Sequence, residues 1–292
     1  MIKIFLAFFL VIVSTSEAKL LVITHAYKRP DFIPLQEKTF RKFLKDDYEF
    51  VVFNDAREPK IYSAIDQTCK QLNIRCIPIP QEIHQRPYLP RMPGELYDHP
   101  CVTCANVVQY SLDTLGFDHN DLVMIIDSDM FLVGDLNVSE YMKDCEIAGH
   151  AQSRSFITYL WNGIVFFNMN TLPAKRELSF NCGDVAGQPC DVGGHTYYYF
   201  QKHPQVRKKF VNQIFVQAHV NEDTTKHHPY LRMMIEEGVP NSEFFLDYKL
   251  FHYRGGGNWD YQSDAYHRHK TAALHKLIDF AINSATENSN GS

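Results

Sequence analysis

Leu122 to Ile126 is an unbroken apolar run that leads directly into Asp127-Ser128-Asp129 and a second apolar run, Met130 to Leu132. Strand side chains alternate between two faces, so a run with no polar member must be covered on both. That is the environment of an inner strand in a mostly parallel sheet, and Asp121 to Val133 is read as one such strand. Upstream segments fit the same layering. Leu20 to Thr24 is a short branched apolar strand, and Gln36 to Leu44 has helical spacing at Phe40, Phe43 and Leu44. Tyr48 to Ala56 reads as a strand, Ile61 to Leu72 as a helix, Ile74 to Pro80 as a strand and Cys101 to Leu115 as a helix. Residues 81–100, with four prolines, read as a loop. The fold class is therefore α/β, a Rossmann-type, mostly parallel sheet with helices on both faces.

Ligands of such sheets bind beyond the carboxyl ends of the strands. Three ends here are polar: Thr24-His25-Ala26-Tyr27-Lys28-Arg29, Asn54-Asp55 and Asp127-Ser128-Asp129. After Glu146 the pattern changes. Glu146 to Gln152 and Trp161 to Met169 read as strands, 180–195 as a Gly- and Cys-rich loop, and Tyr197 to Val220 as a helix broken near Pro204. Glu243 to Tyr253 reads as one or two strands, Arg254 to Asn258 as a turn, and Asp264 to Ile282 as an amphipathic helix followed by a frayed polar tail.

The 292 residues are 45% hydrophobic and 22% charged, which excludes a disordered chain, a collagen and a coiled-coil rod. Net charge is −5, so non-specific nucleic-acid binding, which needs a basic face, is not expected. Residues 1–18 carry Lys3, an apolar stretch from Ile4 to Val13 and small residues at Ser16 and Ala18. They read as a cleavable secretory signal, or else a short signal anchor. This divides the chain into the signal at 1–18, a catalytic domain at 19–262, and a C-terminal helix and tail at 263–292. No transmembrane helix is expected in the mature chain. A secretory route, to the ER or Golgi lumen or outside the cell, fits two acceptor triplets, Asn137-Val138-Ser139 and Asn290-Gly291-Ser292. It also allows a small disulfide loop between Cys182 and Cys190. Cys101 and Cys104 read as structural thiols or a bridge, not a zinc site.

Two buried carboxylates are costly without a counter-charge, and a hard divalent cation with oxygen ligands offsets the cost. Such a cation also stabilises a departing nucleoside diphosphate. Asp127 and Asp129 are read as its ligands, against the plainer reading of a surface Asp-Ser-Asp turn. The segment from Leu122 to Val133 resembles the Asp-x-Asp motif of GT-A-fold glycosyltransferases. Trp161 to Met169 is similar to their following strand, with an Asn-Gly turn beside the donor sugar. Phe251 to Trp259 is similar to the His-x-x-Gly motif of the glycogenin-like members, though shorter and with Asn258 where those carry a Lys.

The resemblance spans roughly Lys19 to Trp259. It implies an Mn2+- or Mg2+-dependent hexosyltransferase that takes a nucleoside-diphosphate sugar, most simply a UDP-sugar, and a glycan, protein or lipid acceptor. It also implies His252 as third metal ligand and Gly255 and Gly256 as the turn beside the diphosphate, with Arg254 as a substitute cation. Ser128, His25 and Arg29 join the expected donor-binding set. Tyr27 stacks on the base or is a rim tyrosine. Asn54 and Asp55 bind base or ribose, or only close a turn. Asn162 and Gly163 face the donor sugar or form a turn without contact. Arg86 and Arg91 close over the diphosphate or are solvated. Asp191 is the candidate catalytic carboxylate, with Asp184 and His195 competing. Two other functions are weighed: a non-catalytic lumenal carbohydrate-binding protein of the same fold, and an Asp-x-Asp phosphohydrolase. The second is disfavoured because its pair belongs on the first strand.

Overall fold

The computed structural model describes residues 20–85, 100–217, 223–257 and 262–290. The expected signal, Arg86, Arg91, Asn258, Trp259 and the Gly291-Ser292 end lie outside the described residues. From Leu20 the chain alternates strand and helix as its apolar spacing predicts. The elements are β1 (Leu20–Ala26), α1 (Phe32–Phe43), β2 (Tyr48–Asn54), α2 (Pro59–Leu72), β3 (Arg75–Pro78), α3 (Gln81–Gln85), α4 (Pro100–Thr114) and β4 (Leu122–Ile126). β3, β2, β1 and β4 are parallel neighbours.

The expected two-sided burial of β4 is realised residue by residue. Leu122, Met124 and Ile126 join one core with Phe40, Phe131 and Leu277. Val123 and Ile125 join another with Val108, Phe117 and Phe180. Each such side chain contributes about 1.5–3 kcal/mol by leaving water.

The segment from Asp121 to Val133 is not one strand, which corrects the sequence reading. β4 ends at Ile126, and β5 (Met130–Leu132) belongs to a different sheet. The two carboxylates cannot enter the apolar layers, so the chain turns out at Asp127 and back in at Met130. The turn is tied on every side. Asp127 N–H donates to Gly163 O at 2.8 Å, and Tyr253 N–H donates to Asp129 O at 2.8 Å. The fully buried Gln36 of α1 donates through Nε2 to Asp127 O at 2.9 Å and Met130 O at 3.1 Å.

The second half adds α5 (Val138–Met142), β6 (Ile147–Arg154), β7 (Ile157–Asn168), β8 (Gly183–Val185), β9 (Gln188–Cys190), α6 (Thr196–Lys202), β10 (Lys208–Phe210), β11 (Gln213–Phe215), α7 (Pro229–Glu236), β12 (Glu243–Phe245), β13 (Leu250–His252) and α8 (Asp264–Asn290). The large sheet runs β10-β6-β7-β4-β1-β2-β3, with β7 antiparallel to both neighbours. The small antiparallel sheet runs β11-β12-β13-β5.

Four further expectations need correction. The helix expected from Tyr197 to Val220 ends at Lys202; beyond Pro204 the chain pairs as β10 and β11 with β6 and β12. Residues 81–85 are helical, and the α8 helix continues through the expected polar tail to Asn290. The disulfide joins Cys101 to Cys182 and not Cys182 to Cys190. Cys182 packs with Val102, Ala105 and Val192, while Cys190 packs with Ile157, Tyr159 and Val185, so the two thiols belong to different clusters.

Two outcomes follow. Ile125→Ala, at a site 1% exposed, is expected to cost about 2–5 kcal/mol in chemical denaturation. The Cys101–Cys182 bridge spans 81 residues, and replacing both cysteines by Ser is expected to lower stability by about 2–4 kcal/mol under non-reducing conditions. An unchanged denaturation midpoint in either variant would contradict these assignments.

Candidate functional site

The tied turn puts Asp127 and Asp129 at the mouth of the junction between the two sheets. β13 runs antiparallel to β5 with His252 opposite Met130, which delivers the imidazole to the same point. One ligand atom from each of Asp127, Asp129 and His252 lies within 4.8 Å of the other two. His252 Nε2 is 3.2 Å from Asp129 Oδ1, and Asp129 Oδ2 accepts from Gly256 N–H at 2.8 Å. A Cβ at Gly256 would lie 2.8 Å from Asp129 Cβ and 2.9 Å from Phe32, so only glycine permits this approach.

Behind the imidazole stands Glu243, 3% exposed, whose Oε1 is 2.7 Å from His252 Nδ1. Glu243 and His252 are directly opposite in the β12–β13 pair. Accepting the Nδ1 proton fixes the tautomer that turns the Nε2 lone pair toward the carboxylates, a common support for a metal-binding histidine. Gln213 in turn donates from Nε2 to Glu243 Oε2. Lys270 of α8 is 2% exposed and donates to Asn241 O at 3.0 Å and Arg254 O at 3.2 Å. It therefore braces the glycine turn that holds Asp129.

The electrostatics are those of a site built around positive charge. Burial and the charge of Asp129 push Asp127 up to about 7. Burial would also raise Asp129, but the His252 ring and the Gly256 N–H outweigh it and hold that carboxyl below its usual range. Burial disfavours the imidazolium of His252, yet Asp129 and Glu243 raise it to about 9. Two carboxylates, an oriented imidazole and compressed like charge fit a hard divalent cation such as Mn2+ or Mg2+.

The triad opens into a cleft of about 1060 Å³. Of the expected site residues, His25, Tyr27, Asp55, Ser128, Asp191, Arg254, Gly255 and Gly256 line it with the triad. His25 bonds Ser111 Oγ at 2.9 Å, and burial lowers its pKa to about 3. Burial raises Asp55 to about 7, partly offset by Arg57.

Four expected residues are not on this wall. Arg29 forms an ion pair with Asp31 and lies 3.6 Å over the Phe32 ring, facing a separate hollow of about 550 Å³. Asn54 closes a turn, donating to Tyr62 O at 3.0 Å and accepting from Ala56 N–H at 3.2 Å. Asn162 is buried with its amide 3.5 Å from Cys104 Sγ. Gly163 lies under the Trp161 ring, where a Cβ would come within 2.0 Å of it. Sequence reasoning missed the wall residues Lys28, Arg57, Cys104 and Trp161, and Glu243 behind His252. Glu243 had a signal: the hairpin from Glu243 to His252, folded at its middle, pairs its two ends.

No protein-family model matches the chain, and no curated protein matches it. Among solved structures it is similar to a mannosyltransferase, PcManGT from Pyrobaculum calidifontis, in complex with GDP-Man and Mn2+. The identity is 12%, the TM-score 0.42, and the match covers 94% of this chain and 74% of that one. It is also similar to the galactosyltransferase LgtC with donor and acceptor sugar analogues, at 11% identity and TM-score 0.37, covering 66% of this chain and 73% of that one. Core-mannan synthase A from Aspergillus fumigatus, in its Mn/GDP form, matches at 8% identity and TM-score 0.37, covering 54% and 61%.

Cation loading must displace the proton from His252, and below about pH 7 a second proton from Asp127. Mn2+ affinity is therefore expected to fall about tenfold per pH unit from 9 toward 7, and more steeply below. Calorimetric titration at three pH values checks this; a flat profile removes His252 from the ligand set. Both raised groups stabilise the metal-free fold only while protonated. Its melting temperature is thus expected to fall as pH rises, through about 7 for Asp127 and about 9 for His252. Asp129, lowered, contributes a constant amount in that window. Glu243→Gln is expected to weaken Mn2+ binding by about 10- to 100-fold.

Proposed function

We propose that the protein is a metal-dependent glycosyltransferase of hexosyltransferase type, transferring a sugar from a nucleoside-diphosphate sugar, a UDP-sugar, to an acceptor hydroxyl. One observation carries this reading. The Asp127, Asp129 and His252 ligand atoms, within 4.8 Å of one another, sit in the wall of a 1060 Å³ cleft that also presents Lys28, Arg57 and Arg254. A divalent cation beside three cationic side chains suits a diphosphate. The cleft is large enough for the nucleotide and sugar it would carry.

When bound, the cation acts as a Lewis acid that offsets charge on the departing diphosphate. The chain's own residues do the rest. Lys28, Arg57 and Arg254 add positive charge where the diphosphate lies, and the turn at Gly255 and Gly256 lets the backbone approach it. Tyr27, His25 and Asp55 hold the base and ribose, and Ser128 lies between the two acidic ligands. Asp191, exposed at the cleft wall, accepts the acceptor hydroxyl proton. The new bond forms between that oxygen and the anomeric carbon. The old bond to the diphosphate oxygen breaks, and its electron pair leaves with the diphosphate.

The Cys101–Cys182 bridge supports an oxidising compartment, and we assign the protein to the secretory lumen or exterior. Among the described residues no helix is long and apolar enough to cross a membrane.

A screen of nucleotide sugars for Mn2+-dependent thermal stabilisation tests the reading, since a ligand of the native state raises its apparent stability. One nucleotide sugar is expected to stabilise the wild type and not Asp129→Ala. Stabilisation that is equal in the variant, or that needs no Mn2+, would sink the site. Asp191→Ala is expected to lower turnover by at least 100-fold with donor affinity nearly unchanged, as loss of a group acting only in the transition state requires.

A further inference from the structure

The cleft has a second half that the donor does not explain. Opposite His25, Tyr27 and Asp55, its wall is made by β6, β7 and β11: His150, Gln152, Ser153, Trp161, Gln213 and Phe215. The backbone is irregular here. Gly149 pairs with Val165 but Ala151 pairs with Leu160, so His150 faces an unpaired stretch of β7 that begins at Trp161. Such bulges turn side chains toward a site.

Trp161 is held by its neighbours. It stacks on Phe245 at 6.3 Å and 26°, meets His150 edge-on at 5.9 Å and 87°, and occupies the space left by the missing Cβ of Gly163. It remains half-buried, and its ring centre is 5.4 Å from that of His252. Phe215 lies on the same side with 46% of its surface in water. Around the rings are polar groups: Gln152, whose Oε1 accepts from the Tyr159 hydroxyl at 2.7 Å, Ser153, 3.2 Å from Thr158 Oγ1, and the exposed guanidinium of Arg154. The acidic member of this half, Glu243, is already engaged by His252 and Gln213.

We propose that this wall is the acceptor subsite and that the acceptor is a saccharide, an inference that rests on the glycosyltransferase reading. A pyranose presents a face of C–H groups and a rim of hydroxyls. A rigid aromatic face with amides and hydroxyls beside it matches both, since the ring face is negative and the C–H hydrogens are slightly positive. A lipid tail needs an apolar groove without the amides, and a peptide adding to the free edge of β11 would be held by backbone bonds and would have no need of the Trp161 face. The position beside His252 brings an acceptor hydroxyl to the cation site and Asp191.

The chain has two tryptophans, Trp161 and Trp259, so 5-fluorotryptophan labelling gives two fluorine resonances, assigned with Trp161→Phe. The full chain is loaded with Mg2+, which is diamagnetic and so keeps the resonance of a ring 5.4 Å from His252 sharp, and with the nucleotide sugar that stabilises it. It is then titrated with methyl glycosides of glucose, galactose and mannose, with lactose, with a Ser/Thr-containing peptide and with a short-chain glycerolipid. At least one glycoside is expected to shift the Trp161 resonance saturably. Phe215→Ala is expected to raise the KM for that glycoside about tenfold with the donor KM unchanged. Donor binding with no response to any glycoside, or transfer to the peptide or lipid alone, overturns the proposal and leaves the transferase reading standing. A Phe215→Ala effect confined to the donor KM overturns it as well. Loss of Mn2+-dependent donor binding itself overturns the parent reading, and this one with it.

Discussion

The rest of the site depends on one electrostatic constraint: two carboxylates are held together in a buried turn between two sheets. Left alone they repel, and burial makes each expensive. The chain compensates with geometry and not with side-chain flexibility. Gly163, Tyr253 and Gln36 fix the backbone of the turn, Gly256 donates to one carboxylate, and His252 faces it. The remaining imbalance appears as the upward push on Asp127. A divalent ion in such a pocket would relieve a cost already built into the fold.

Much of this was legible in the sequence, for local reasons. A strand that must be buried on both faces announces itself by its unbroken apolar run. The polar residues that follow it must lie at the sheet edge. That logic puts Asp127, Asp129, His25, Tyr27 and Asp55 beyond strand ends, and all five line the cleft. It failed for Arg29, although Arg29 follows the same strand. One residue past Pro30, Asp31 captures the guanidinium, and α1 carries it away from the cleft onto Phe32. Asn54 takes the other reading open to it: a short amide at a strand end satisfies its own turn first. Proximity in sequence does not fix the direction of a side chain.

Other features were out of reach because they depend on distant partners. The bridge between Cys101 and Cys182 joins α4 to a segment beyond β7, and the two meet only where Cys182 and Val192 pack on Val102 and Ala105. The split of the apolar run into β4 and β5 requires the small sheet, whose other strands start only at Gln213. In the sequence Lys270 is one more cation on an amphipathic helix. Its role is visible only when the carbonyls of Asn241 and Arg254 are found around it.

That lysine makes the last helix a strut of the candidate metal site and not an appendage. Ala273, Leu274 and Leu277 share the core of β4, while Lys270 reaches forward to the turn that steadies Asp129. A shortened protein ending at the last recognisable motif, near residue 262, would retain Asp127, Asp129 and His252 and still lose the scaffold that aligns them. Inactivity of such a fragment would therefore report a collapsed frame, and would say nothing about which groups perform the chemistry.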